Sequence, residues 1–94
     1  MKVGDTIGGR FVLERPAGRG AMGVVFRARD LSTGAPVALK IMTVVHARGA
    51  ARFAREIEVL ARLRHPGIVG YVAHGATSAD GLSGPPFLAM EWLE

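Results

Sequence analysis

Short apolar runs flanked or interrupted by charged residues mark RFVLER, VVFRARD and PVALKIM, residues 10–15, 24–30 and 36–42. The first reads as a strand of mixed burial, and the second opens with β-branched and aromatic residues that favour strands. Pro36 stands at the start of the third, where a missing N–H is tolerated. Between the last two, LSTG at 31–34 predicts a turn in which Gly34 is free to take positive φ. These three segments form an antiparallel meander. The pattern then changes to helical spacing from about Gly49 to Arg64, ended by Pro66, which disfavours helical geometry at His65. IVGYVAHG at 68–75 and FLAMEW at 87–92 predict a fourth and a fifth strand, separated by the polar, turn-rich ATSADGLSGPP. Three strands, one helix and two strands give an α+β fold: a five-stranded antiparallel sheet carrying one main helix. Residues 1–9 read as a lead-in.

Composition narrows the class. The chain has 94 residues, 49% of them hydrophobic, enough for one core and too apolar for disorder. It contains no cysteine, so disulfides and thiolate metal sites are excluded. His46, His65 and His74 show no ligand spacing, so no metal site is expected. No apolar run approaches the ~20 residues of a membrane span, and MKVGDTIGGR lacks the apolar stretch of a signal peptide. A cytoplasmic setting with no membrane segment is expected. The net charge of +4 is mostly arginine. It leaves electrostatic nucleic-acid binding as a minor alternative, because much of it should be a solvated helix face.

Three glycines, Gly18, Gly20 and Gly23, sit between the first two strands. A dinucleotide fingerprint requires a helix to begin at the third glycine, but Val24, Val25 and Phe26 follow. A Walker loop requires Gly-Lys-Ser/Thr, which is absent. There remains a strand–loop–strand hairpin whose glycines let the backbone lie over a phosphate chain. A flexible hairpin that binds nothing is the alternative.

Centring the turn on Ser32 and Thr33 places Lys40 opposite Val25, just past the glycine loop. Alternation sets Val37, Leu39 and Ile41 on one face of that strand and Ala38, Lys40 and Met42 on the other. At ~100° per residue, Phe53, Ile57, Val59, Leu60 and Leu63 form the apolar arc of the helix. Glu56 falls inside that arc, whereas Arg55, Glu58 and Arg62 lie opposite. A carboxylate turned toward the sheet needs a cation or donors. Lys40 can supply the cation. Pairing with Arg52 one turn away, or a place in water at the edge of the arc, are the alternatives.

The glycine loop, VALK at 37–40, a helical glutamate and LRHPGIV at 63–69 together resemble the N-terminal lobe of a protein kinase. The likeness is greatest to bacterial serine/threonine kinases of the eukaryotic-like family, which often show G-x-G-x-M-G. It covers residues 10–94, an N-lobe ending at the hinge. The resemblance implies that Gly18, Gly20, Gly23 and Val25 cover ATP, with Arg19, Ala21, Met22 and Val24 among them. It implies that Lys40 contacts the α- and β-phosphates and that Glu56 anchors Lys40. Met90 would be the gatekeeper beside the adenine, Ala38 would pack on its face, and the backbone of Glu91 and Leu93 would meet its edge. Ala17 stands where the family usually has an aliphatic residue such as leucine, which loosens adenine packing. His65 matches the family's structural His-Pro pair. Asp5, Asp30 and Asp80 are the only aspartates, and none lies in an H-R-D or D-F-G context. The complete enzyme would transfer the ATP γ-phosphate to protein serine or threonine, with Mg²⁺ and a C-lobe. This chain alone is expected to be inactive. A non-catalytic interaction module is the alternative function.

Overall fold

The computed structural model describes residues 2–20, 23–43, 47–62, 70–78 and 84–92. Expectations placed on Ala21, Met22, His65 and Leu93, and on the strand start at 68–69, lie outside these residues. The elements are β1 (Thr6–Ile7), β2 (Phe11–Gly20), β3 (Gly23–Asp30), β4 (Pro36–Met42), α1 (Ala47–Arg62), β5 (Tyr71–Ala76) and β6 (Pro86–Glu91). The strands make one antiparallel sheet in the order β1-β2-β3-β4-β6-β5.

The sheet has six strands where five were expected, and the sixth is β1. Gly8 and Gly9, at φ 59° and 69°, turn the chain so that Thr6 and Ile7 pair with Val12 and Phe11. Ile7 is buried against the core. One apolar residue before two glycines carries no period-two signal, so the sequence pattern misses it. β2 also runs five residues beyond the expected 10–15. Register shifts between Leu13 and Arg15 and between Pro16 and Gly18 break its alternation. Since β1 reaches only Val12, the far half of β2 is a sheet edge, where Pro16 is tolerated.

Two apolar clusters occupy the two faces. Phe11, Leu13, Phe26, Ala28, Val37, Leu39, Ile41, Phe87 and Ala89 join Ile7 on one. On the other, Phe53 and Ile57 of α1 pack against Met42 and Leu88, with Tyr71 and Met90 at the margin. The helix therefore rests on the Ala38–Lys40–Met42 face of β4. It begins two residues earlier than expected; of the apolar arc Phe53 and Ile57 meet the sheet and Val59 does not, while Leu63 and the Leu60 side chain lie outside the described residues. Val59 is 48% exposed. It sits at the rim of the arc, rotated about 120° from Phe53, beyond reach of the strands.

The β3–β4 turn is fastened by Asp30. Its carbonyl accepts from the Gly34 amide at 2.7 Å, with Gly34 at φ 78°. Its carboxylate, only 2% exposed, accepts from Arg10 Nε and Nη2 at 2.9 and 2.8 Å. It also accepts from the Ser32 amide and hydroxyl at 2.9 and 2.7 Å. The Arg10 guanidinium and the Ser32 donors hold this carboxyl well below the usual carboxylate range, against the opposing effect of burial. The turn thus fixes the β3–β4 register, with Val25 opposite Lys40.

Candidate functional site

Lys40 leaves β4 between Val25 of β3 and Leu88 of β6. Its ammonium donates to both carboxylate oxygens of Glu56, at 3.1 and 3.3 Å. The ammonium also lies 5.9 Å from the Phe53 ring centroid. Phe53, together with Ile57, seats α1 on the sheet. Glu56, three positions after Phe53 on the same side of the helix, is thereby aimed at β4. The pair is neither sealed nor free: the side chains are 25% and 34% exposed. Part of the Lys40 side chain therefore remains in contact with solvent.

The hairpin glycines differ in what they do for the fold. A Cβ on Gly23 would stand 2.0 Å from the Ile41 carbonyl oxygen, so close approach of β3 and β4 requires glycine there. A Cβ on Gly18 would meet nothing within 4 Å. Gly18 does not take positive φ either. Among the described residues, then, neither packing nor backbone conformation requires glycine at this position. A hollow of about 270 Å³ lies at this point, lined by Pro16, Gly18, Arg19, Val24, Val25 and Phe26. Ala17 and Arg19 are exposed, and Gly20 closes β2 as the register partner of Gly23.

Val25 lies on the Lys40 face, while Val24 packs against the opposite core cluster. Ala38 and Met90 are register partners on neighbouring strands, and both are half-buried. Glu91 is exposed, and its amide donates to the Gly70 carbonyl at 2.9 Å. The structure thus gathers Gly18, Val25, Ala38, Lys40, Glu56 and Met90 along one face. A larger hollow, about 400 Å³, lies elsewhere, between α1 and β5, with Ile57, Ala61 and His74 in its lining. It holds none of the residues singled out from the sequence as binding residues.

Sequence reasoning missed the contacts of Trp92. The ring lies 5.5 Å from both Arg15 and Arg27, and Arg27 also bonds Glu14. Arg15 and Arg27 are register partners on β2 and β3, and the curl of the sheet brings Trp92 to them.

The profile of the protein kinase domain matches residues 11–83. The chain belongs to the protein kinase family. The serine/threonine-protein kinase pkn3 of Myxococcus xanthus is 37% identical over 94 residues, covering 97% of this chain and 16% of that one. The DNA damage-responsive serine/threonine-protein kinase RqkA of Deinococcus radiodurans is 37% identical over 91 residues, covering 96% of this chain and 13% of its own. Among solved structures, the kinase domain of Mycobacterium tuberculosis PknI superposes with TM-score 0.75 at 28% identity. That match covers 100% of this chain and 36% of that one. This kinase chain therefore spans under a fifth of the length of these curated relatives and about a third of the PknI structure. It corresponds to the N-terminal lobe of the kinase fold: an antiparallel sheet with one helix. No helix among the described residues is long and apolar enough to cross a membrane.

Proposed function

We propose that this chain is the ATP-binding lobe of a serine/threonine protein kinase whose complete form transfers the γ-phosphate to protein serine or threonine. The observation that carries this reading is the Lys40–Glu56 pair in register, through Val25, with Gly18, a glycine that no described residue packs against. Lys40 would hold the α- and β-phosphates. Glu56 would keep the ammonium extended toward them, which reduces the ordering cost of binding. The backbone around Gly18 and Gly20 would lie over the phosphates, with amide donors facing them. Val25 and Ala38 would enclose the adenine, with Met90 behind it. The Glu91 amide is taken by Gly70, so Glu91 would offer its carbonyl to the adenine edge, and Leu93 would complete that contact.

This lobe binds and orients; it contributes no general base. Among the described residues no group of three or more His, Cys, Asp or Glu could hold a metal ion. This reading places the Mg²⁺ ligands of the complete enzyme in the C-lobe. The missing C-lobe and a protein substrate are the partners this reading requires, in a cytoplasmic setting. The arginines on the outer face of α1 are read as solvated, with Arg62 paired to Glu58 at 3.0 Å, and not as a nucleic-acid surface.

The test is Lys40→Met in the complete protein. Phosphotransfer should fall by at least ~10³-fold, in line with loss of the preorganised charge that orders the α- and β-phosphates, while the melting temperature stays close to wild type. Wild-type turnover in that variant refutes the role of Lys40.

A further inference from the structure

The row of residues that carries Ala38 and Met90 continues outward across the sheet. Ala38 is the register partner of Arg27, and Arg27 is the partner of Arg15. Two arginines directly opposite each other on adjacent strands repel. One carboxylate, Glu14, answers Arg27. The other neighbour the two arginines share is the face of Trp92, with each guanidinium carbon 5.5 Å from the ring centroid. That distance lies within the ~6 Å reach of a cation–π contact.

The position of the ring gives this contact its consequence. Trp92 directly follows β6, and β6 pairs with β4 and β5. β4 separates it from the β2–β3 hairpin, so no backbone ladder joins the two. The curl of the sheet brings the end of β6 back toward β2 and β3. Trp92 then spans the gap and ties the chain after Glu91 to the strands that carry Gly18 and Val25.

We propose that Trp92, gripped by Arg15 and Arg27, is a positioning residue that sets how far the glycine hairpin opens from the end of β6. Its bearing on nucleotide binding rests on the ATP reading above: hairpin and β6 are the two walls of that cleft, and the grip fixes their separation. Arginine suits the role because its planar fork stacks on a ring, which the compact ammonium of lysine does not.

Trp92 is the single tryptophan of the chain, so tryptophan fluorescence comes from this ring and no other. In the Arg15→Gln/Arg27→Gln double variant, acrylamide quenching of Trp92 should rise by about two-fold as the ring loses both covers. Loss of both contacts should also speed hydrogen exchange at the amides of Val24–Arg27 by roughly 5- to 30-fold. Trp92→Ala should speed the same hairpin amides by that factor, because coupling between two sites is reciprocal. Trp92→Phe, which keeps a ring for both arginines, should restore most of the protection. The amides of Leu39 and Ile41 in β4 serve as the check on global stability. Unchanged quenching in the double variant, or unchanged hairpin exchange in Trp92→Ala, overturns the proposal. ATP titrated against the wild-type chain separates the two readings. Intact coupling without ATP binding sinks the nucleotide site and leaves the grip standing. ATP binding without coupling sinks the grip alone.

Discussion

The β3–β4 pair carries a cation–carboxylate contact near each end, and the two are built differently. At the turn, Asp30 is buried and accepts from four donors at 2.7–2.9 Å. Beside the glycine hairpin, Glu56 meets the Lys40 ammonium at 3.1 and 3.3 Å, with both side chains partly in solvent. Asp30 is sealed from solvent and accepts from four donors of this chain, which ties it to the fold. Lys40 has donors to spare and is partly exposed, so it can hold a ligand. Charge pairing alone does not mark a functional site. What separates the two pairs is exposure: the Asp30 carboxylate is sealed, whereas Lys40 and Glu56 are partly open.

Breaking the turn should have the largest effect. Asp30→Ala leaves Arg10 without its carboxylate and orphans both Ser32 donors. Arg10 can still reach water, so the loss should be about 2–4 kcal/mol rather than the upper range for a sealed pair. Chemical denaturation measures it. The same pair predicts a pH signature. The Asp30 carboxyl is held below its ordinary 3.8 in the folded chain. Its contribution is complete above that value and is lost as pH falls below it toward the folded value. Asp30→Asn should lack this part of the acid destabilisation.

The glycines sharpen the comparison at the next level. Gly23→Ala forces a methyl onto the Ile41 carbonyl and should cost about 1–3 kcal/mol. Gly18→Ala meets nothing in the fold, and any stability change should lie within about 0.5 kcal/mol. It should instead weaken binding of an ATP analogue. Equal stability losses in both variants would remove the argument that Gly18 serves a ligand. Smallest of all is the effect expected on the open pair. Glu56→Gln should change stability by less than about 1 kcal/mol, with a dependence on salt. A loss as large as that of Asp30→Ala would make Lys40–Glu56 a second structural clasp.

These contrasts also explain what could be read before the fold was seen. Lys40 opposite Val25 follows from a turn whose centre is legible in LSTG, and Glu56 facing the strands follows from one helical period. Both are local rules applied over short spans. Burial of Asp30 depends on Arg10, 20 residues away, so a carboxylate at a strand end looks like an ordinary turn residue. β1 has a single apolar residue to announce it, and the length of β2 is hidden by two register shifts. Val59 looked like core because a helical wheel shows direction but not how far the partner surface extends. Trp92 was the least legible, since its contacts exist only after the sheet curls.

The most direct test of the central claim is a titration of the ¹⁵N-labelled chain with ATP, followed by amide chemical shifts. Saturable shifts should gather at Gly18, Val25, Ala38, Lys40 and Glu91, while Asp30, Ser32 and Gly34 at the turn stay still. Shifts confined to the α1–β5 hollow, or none that saturate, would contradict it.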